Sequence, residues 1–201
     1  VKLRDIQKYV RALYTGGTFT YEAQVILGGI LPGPIFSNTP ILDIKEMASS
    51  LTSEANSIVD LGEEEFTEGR PHPMIDPTIR KLRILEEAKD PEVGVLLMDF
   101  VLGYGSHPDP VGAAIREIKE AKEIAAREGR FLSVISHVCG AAGDPQGYES
   151  SISKLQSVGS VVLPTNAVAA VGAAMVALRG KVNLDKIYSR YLMVGGESRY
   201  E

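Results

Sequence analysis

The segment Val93–Val101, VGVLLMDFV, is apolar at nearly every position. A strand that is apolar on both faces must be covered by helices on both sides, which places it inside a parallel α/β core rather than in an antiparallel sandwich with one wet face. The same grammar occurs three times along the chain: a short apolar run, a glycine-bearing loop, then an amphipathic helix. It spans Tyr9–Thr20, Val93–Pro110 and Phe131–Pro145. Each loop would then lie at the carboxyl end of a buried strand, the edge at which open parallel sheets take their ligands.

Hydrophobic periodicity predicts five strand–helix units. The strands are Val10–Tyr14, Ser57–Leu61, Val93–Val101, Phe131–Ser136 and Val161–Pro164. The first helix is expected over Phe19–Leu27, with Gly28-Gly29 as its stop. A second runs over Pro77–Ala88 with Ile79, Leu82, Ile84 and Leu85 turned largely to one side, and a third over Pro110–Arg127 buries Val111, Ala114, Ile115, Ile118, Ala121 and Ala125. Gln146–Ser157 and the small-residue segment Ala167–Leu178 complete the set. Between the first two strands, the proline-punctuated Leu31–Pro40 reads as an excursion and Leu42–Leu51 as a short helix. The fold class predicted is α/β, a flavodoxin-like doubly wound parallel sheet of about five strands with helices on both faces. With 201 residues and 44% hydrophobic content the chain can bury the core of one domain, residues 1–201. Its start at Val1 rather than Met reads as an excised piece of a longer protein.

Charge and cysteine content narrow the function. A net charge of −5 offers no general field for nucleic acid or anionic lipid, so neither nucleic acid nor membrane is an expected partner. A phosphate ligand would need local help. The single Cys139 and the absence of an opening signal segment point to a reducing cytoplasm. The His, Cys and Asp residues have no regular ligand spacing, which argues against a metal, and the Ser-His pairs stand too close together for a triad. Cys139 beside His137 reads as a small buried hydrophobe more readily than as an activated thiol.

Asp76-Pro77, Asp109-Pro110 and Asp144-Pro145 each place a carboxylate at a cap position and proline at the first helical position, so capping is their first reading. A helix start already neutralised in this way is a poor seat for an anion. The first helix differs, because Gly16, Gly17 and Thr18 supply bare amides with no acidic cap. Thr165 and Asn166 form a second uncharged start, with simple capping as the competing reading. All three histidines, His72, His107 and His137, are expected in strand-end loops, each readable as a general base, a phosphoryl acceptor or a hydrogen-bonded loop residue. Gly103, Gly105, Ser106, Asp109, Cys139, Gly140 and Asp144 would line the same edge. Asp99 invites comparison with a phosphorelay receiver, but the acidic pair expected after the first strand and the lysine expected after the last are replaced by Thr15-Gly16-Gly17 and Pro164-Thr165-Asn166.

Four segments carry a resemblance: LYTGGTFTYEA (Leu13–Ala23), IVDLGEEEFTEGRPHPMIDPTIR (Ile58–Arg80), DPEVGVLLMDFVLGYGSHPDP (Asp90–Pro110) and VCGAAGDPQ (Val138–Gln146). Together they resemble the FdrA family of acyl-CoA synthetase-like proteins, related to the succinyl-CoA synthetases. The resemblance implies a flavodoxin-like ligase domain whose partner is a separate Rossmann-type CoA-binding domain. It also implies that a helix start at Gly16-Gly17-Thr18 would face a phosphoryl group, as in the synthetases, where a phosphohistidine rests between two helix N-termini. The Gly-His-Ala-Gly-Ala phosphohistidine motif of the synthetases does not occur here, and Ser136-His137-Val138 is a weak substitute.

The function this implies is a ligase domain of an acyl-CoA synthetase-like enzyme, inactive alone, with His137, His107 and His72 as candidate catalytic residues. No tightly bound cofactor is expected; the full assembly would use CoA and a nucleotide or carbamoyl phosphate. Expected partners are a related ligase or CoA-binding domain, a phosphorylated or acyl small molecule, and further copies of the chain in a homo-oligomer. Two alternatives stay open: a subunit of a carbamoyl or acyl transferase using carbamoyl phosphate, and a non-catalytic assembly module.

Overall fold

The computed structural model describes residues 3–187, 189 and 190. In chain order it contains β1 (Tyr9–Tyr14), α1 (Gly17–Ile30), β2 (Ile35–Ser37), β3 (Lys45–Glu46), β4 (Asn56–Asp60), α2 (Glu64–Thr67) and α3 (Thr78–Lys89). Then come β5 (Val93–Val101), α4 (Gly112–Arg127), β6 (Ser133–Cys139), α5 (Tyr148–Ser157), β7 (Val161–Leu163) and α6 (Asn166–Ala177). The strands form one seven-stranded sheet, ordered β3-β2-β4-β1-β5-β6-β7, and all of its pairings are parallel. Taken alone, the five strands expected from the sequence lie in the order second, first, third, fourth, fifth, which is the flavodoxin order.

Alternation along β5 explains why that segment is apolar throughout. Val95 and Leu97 join the layer under α1 and α6, while Leu96, Met98 and Phe100 join the layer under α3, α4 and α5. Each such large side chain taken wholly out of water contributes roughly 1.5–3 kcal/mol. The stripe expected on α4 is inward, and five alanines of α6 are buried, which brings that helix close to the sheet. Among the described residues, no helix is long and apolar enough to cross a membrane.

The structure corrects several local expectations. The proline-rich excursion supplies two additional strands, and no helix forms over Leu42–Leu51: Leu42 takes a left-handed φ of 56°, and Lys45–Glu46 pairs with β2. The prolines, Pro32, Pro34 and Pro40, all fall outside the two short strands and so cost the sheet no ladder hydrogen bond. The excursion is stitched down by buried Gln24 of α1, which donates to the Thr39 carbonyl and accepts from the Ile41 amide. Gly28-Gly29 does not stop α1, which continues to Ile30. A Cβ at Gly28 would stand 2.3 Å from Arg190 Nη2, so the glycine serves a close approach rather than a helix end. Helix α5 starts at Tyr148 rather than Gln146, and β6 runs on to Cys139, so His137 lies in a strand and not in a loop.

Helix α3 departs furthest from its expected pattern. Leu82 is 56% exposed, and the inward face carries Arg80, Arg83, Ile84, Glu87 and Ala88. The cause is charge neutralisation. Arg11 of β1 is buried and meets Asp90 at 2.6 Å and Glu87 at 3.5 Å, while Arg83 meets Glu87 at 2.7 Å. A buried guanidinium without a partner would cost several kcal/mol, so acids and bases are drawn to the same face.

Candidate functional site

The β1–α1 loop sits at the centre of the carboxyl edge. Helix α1 has Gly16 as its N-cap in extended backbone, no side-chain cap and no acidic residue in its first turn. Its first amides therefore stay free of side-chain oxygens and sit at the positive end of the helix dipole. The loop is held from beneath by Asp99, which is fully buried. Its carboxylate accepts from the Thr15 amide at 3.1 Å and the Thr15 hydroxyl at 2.7 Å. Arg80 closes the arrangement by donating to both the Asp99 carboxylate and the Asp99 carbonyl. Asp99 is thus a fully engaged anchor, which explains physically why the receiver comparison transfers no site. It also fills the crevice between β1 and β5, the place where a flavodoxin-order sheet would hold a ligand.

The open corner lies on the other side of β1. Tyr14 pairs with Asp60 across β1 and β4, Leu13 with Met98 across β1 and β5, and Asp99 with His137 across β5 and β6. Asp60, Tyr14, Asp99 and His137 therefore form one row across the sheet, beneath the start of α1. Asp60 is buried, with Oδ1 accepting from the Gly62 amide at 2.8 Å. A Cβ at Gly17 would lie 3.5 Å from its Oδ2. Burial pushes the Asp60 carboxyl up to about 6, with Glu63 and Asp99 adding to the rise and the Gly62 amide opposing it.

That shift has a testable sign. Because the folded chain holds the Asp60 proton more tightly than the unfolded chain, the contribution to stability is complete below the ordinary carboxylate range and is lost as pH rises through about 6. Asp60→Asn keeps an acceptor for the Gly62 amide but cannot ionise. Thermal melts should show the variant gaining about 2 kcal/mol on wild type between roughly pH 4.5 and pH 8. A difference that does not change with pH would contradict the assignment.

The remaining candidates distribute as follows. His72 is half-buried, its Nδ1 accepting from the Met74 amide at 3.2 Å, and its Nε2 would stand 2.7 Å from a Cβ at Gly62. His107 repeats the turn, with Nδ1 accepting from the Asp109 amide at 3.0 Å, and its own amide donates to the Met74 carbonyl at 2.7 Å. His137 is buried edge-on against Phe19 of α1, with ring centroids 5.5 Å apart, and its Nδ1 has no hydrogen-bond partner among the described residues. Gly103 is clamped by Gln146, which accepts from its amide and donates to its carbonyl, while Ser106 donates its amide to the Gly103 carbonyl. Gly105 and Thr18 are exposed and Gly16 is half-buried.

Asp76 and Asp109 accept from the first helical amides, Thr78 and Gly112, but from outside the cap positions, which Pro77 and Val111 occupy, so neither proline is the first helical residue; Asp109 also meets Lys154 at 2.7 Å. Asp144 does not cap a helix: it accepts from the Ala141 amide at 2.7 Å, packs against Gly140, and α5 begins three residues after Pro145. Cys139 is half-buried, and burial pushes its thiol up, with Asp99 and Asp144 adding to the effect. Thr165 caps α6 through the Val168 amide, and Asn166 ties that helix to α1 through the Phe19 carbonyl and Glu22. The start of α1 is therefore bare where that of α6 is capped.

Sequence reasoning missed Asp60, and it missed Arg80 as the partner of Asp99. A signal existed for the latter, since an acid inside a continuous apolar run requires a buried base. Asp60 ends an apolar strand directly before Leu61-Gly62 and could have been found by the same argument. A cavity of about 550 Å³ lies at the opposite edge of the sheet, lined by Lys119, Lys122, Arg130, Phe131 and Val158 among others, and none of the three histidines takes part in it.

Comparison with known proteins adds two findings. Residues 13–176 match the family model described as CoA-ligase. The uncharacterized protein YahF of Escherichia coli (strain K12) is 43% identical over 164 residues, which is 80% of this chain and 31% of that protein. The chain thus spans about a third of the length of that curated relative.

Proposed function

Since the chain belongs to the CoA-ligase family, we propose that it works as the ligase domain of an acyl-CoA synthetase-like protein of the FdrA type, offering the start of α1 to a phosphoryl or acyl-phosphate group. The observation that carries this reading is the uncapped α1 start on Gly16 and Gly17, held over the strand ends by Asp99. Amides at a helix start favour negative oxygens through both hydrogen bonds and the dipole. Asp60 below them supplies a carboxyl that burial pushes up to about 6, so it takes up a proton beside an anion at less cost than an ordinary aspartate would. CoA and a nucleotide would be brought by partner domains, and the chain by itself would turn nothing over.

The test is reconstitution of the chain with a CoA-binding and a nucleotide-binding partner domain, followed by incubation with CoA, ATP or carbamoyl phosphate and a panel of carboxylic acids. Mass spectrometry should detect acyl-CoA that forms only when this chain and a nucleotide are both present. A carbamoylated product formed without nucleotide would reassign the same seat to a transferase. Acyl-CoA formation that is indifferent to omission of the chain would contradict both.

A further inference from the structure

The cavity of about 550 Å³ at the amino edge of the sheet has a size suited to a small molecule, for which sites run roughly 300–1,000 Å³. Its walls come from the second half of α4, the turn that leads into β6 and the end of α5, with Ala126, Phe131 and Val158 as apolar surface. Phe131 is left 43% exposed there.

The charges around this apolar surface do not balance. Arg130 is already committed: it pairs with Glu128 at 2.7 Å and donates to the Asp90 and Ala88 carbonyls. Glu123 turns to Arg127, 3.8 Å away. Lys119 is exposed and makes no ion pair among the described residues. Lys122 is half-buried, and its Nζ donates to the Val158 carbonyl at 2.9 Å and the Gly159 carbonyl at 2.8 Å. An ammonium has three donors, so one remains. Burial pulls the Lys122 pKa down, and no carboxylate among the described residues offsets it. The close seating of this lysine requires glycine at 159, where φ is 70° and a Cβ would stand 2.6 Å from Nζ. Capping the end of α5 accounts for the two carbonyl contacts. It does not account for two ammonium groups without a counter-ion on the wall of an apolar cavity.

We propose that this cavity is a second ligand site, one that takes a small carboxylate with an apolar tail: the carboxylate meets Lys119 and the remaining donor of Lys122, and the tail covers Ala126, Phe131 and Val158. A bare anion would leave the apolar wall wet, and an uncharged apolar molecule would desolvate the ammonium groups with nothing to offset them. The seven residues of β6 put roughly 20 Å between this edge and the strand ends under α1, so a short ligand here acts as an effector rather than a reactant. The site therefore stands apart from the function proposed above, and neither reading depends on the other.

The probe is sodium octanoate, titrated into the nitrogen-labelled chain below its micelle concentration and read from the backbone amide shifts. Acetate, inorganic phosphate and octanol serve as the comparison ligands. Saturable shifts are expected around Ala126, Phe131 and Val158, with each comparison ligand bound at least about tenfold more weakly than octanoate. Lys119→Gln, at an exposed position without an ion partner, should stay folded and weaken octanoate about tenfold, as for loss of one charge-assisted hydrogen bond, and Lys119→Arg should restore most of it. Shifts that never saturate, shifts centred on the α1 start, acetate or octanol bound as tightly as octanoate, or octanoate bound by Lys119→Gln as tightly as by wild type would each overturn the proposal.

Discussion

Asp99→Ala is expected to lose about 3–5 kcal/mol of stability, the range for removing one partner of a buried ion pair, and to unloose the β1–α1 loop at the same time. Arg80, only 4% exposed, would be left with an uncompensated charge, and Thr15 would lose the acceptor of both its amide and its hydroxyl. Against a total of about 5–15 kcal/mol for a domain, that loss is large enough to move a urea midpoint far from wild type. The double replacement Asp99→Leu with Arg80→Met distinguishes charge from anchoring. Removing both ions together should restore much of the loss, because desolvation of a buried pair consumes most of its attraction. Recovery should remain incomplete, since Thr15 still lacks its partner. A single replacement costing under about 1 kcal/mol would mean that Asp99 does not anchor the loop.

Gly17→Asp is expected to remove anion binding at the α1 start by at least about tenfold while the domain stays folded. Space permits the substitution: the added Cβ would meet Tyr21 Cε2 at 3.1 Å, and Tyr21 is 41% exposed and can swing away. A carboxylate in the first turn suits the helix dipole but would stand beside the Asp60 carboxyl, whose Oδ2 lies 3.5 Å from the same Cβ, so the thermal midpoint should hold at about pH 5 and fall as pH rises through about 6, with the domain still folded. The same carboxylate would compete for the amides that an incoming anion needs. Folded protein with weakened phosphate binding is therefore the informative result, and unchanged binding would place the anion elsewhere.

What the sequence disclosed, and what it did not, follows from the range of the interactions involved. The parallel core was legible because β5 is apolar on both faces and each strand is followed by an amphipathic helix, both local patterns. The bare start of α1 was legible for the same reason, as a diglycine with no acid before it. The excursion was misread because β2 forms only through pairing with β4, some twenty positions away, and β3 only through pairing with β2. Helix α3 was misread because its inward face answers charges on β1 and β5 rather than its own apolar spacing. His137 was placed in a loop because a histidine ends an apolar run locally; tertiary pairing with Asp99 and Leu163 keeps it in the strand. Asp60, His72 and Gly62 converge only in three dimensions, and nothing in their spacing along the chain marks them as neighbours.

The most direct measurement of the anion seat is a crystal structure grown with phosphate. The anion is expected within hydrogen-bond distance of the Gly17 and Thr18 amides, above Asp60. Phosphate found instead at the far-edge cavity beside Lys119 and Lys122, with the Gly17 and Thr18 amides occupied by a side chain of the protein, would contradict it.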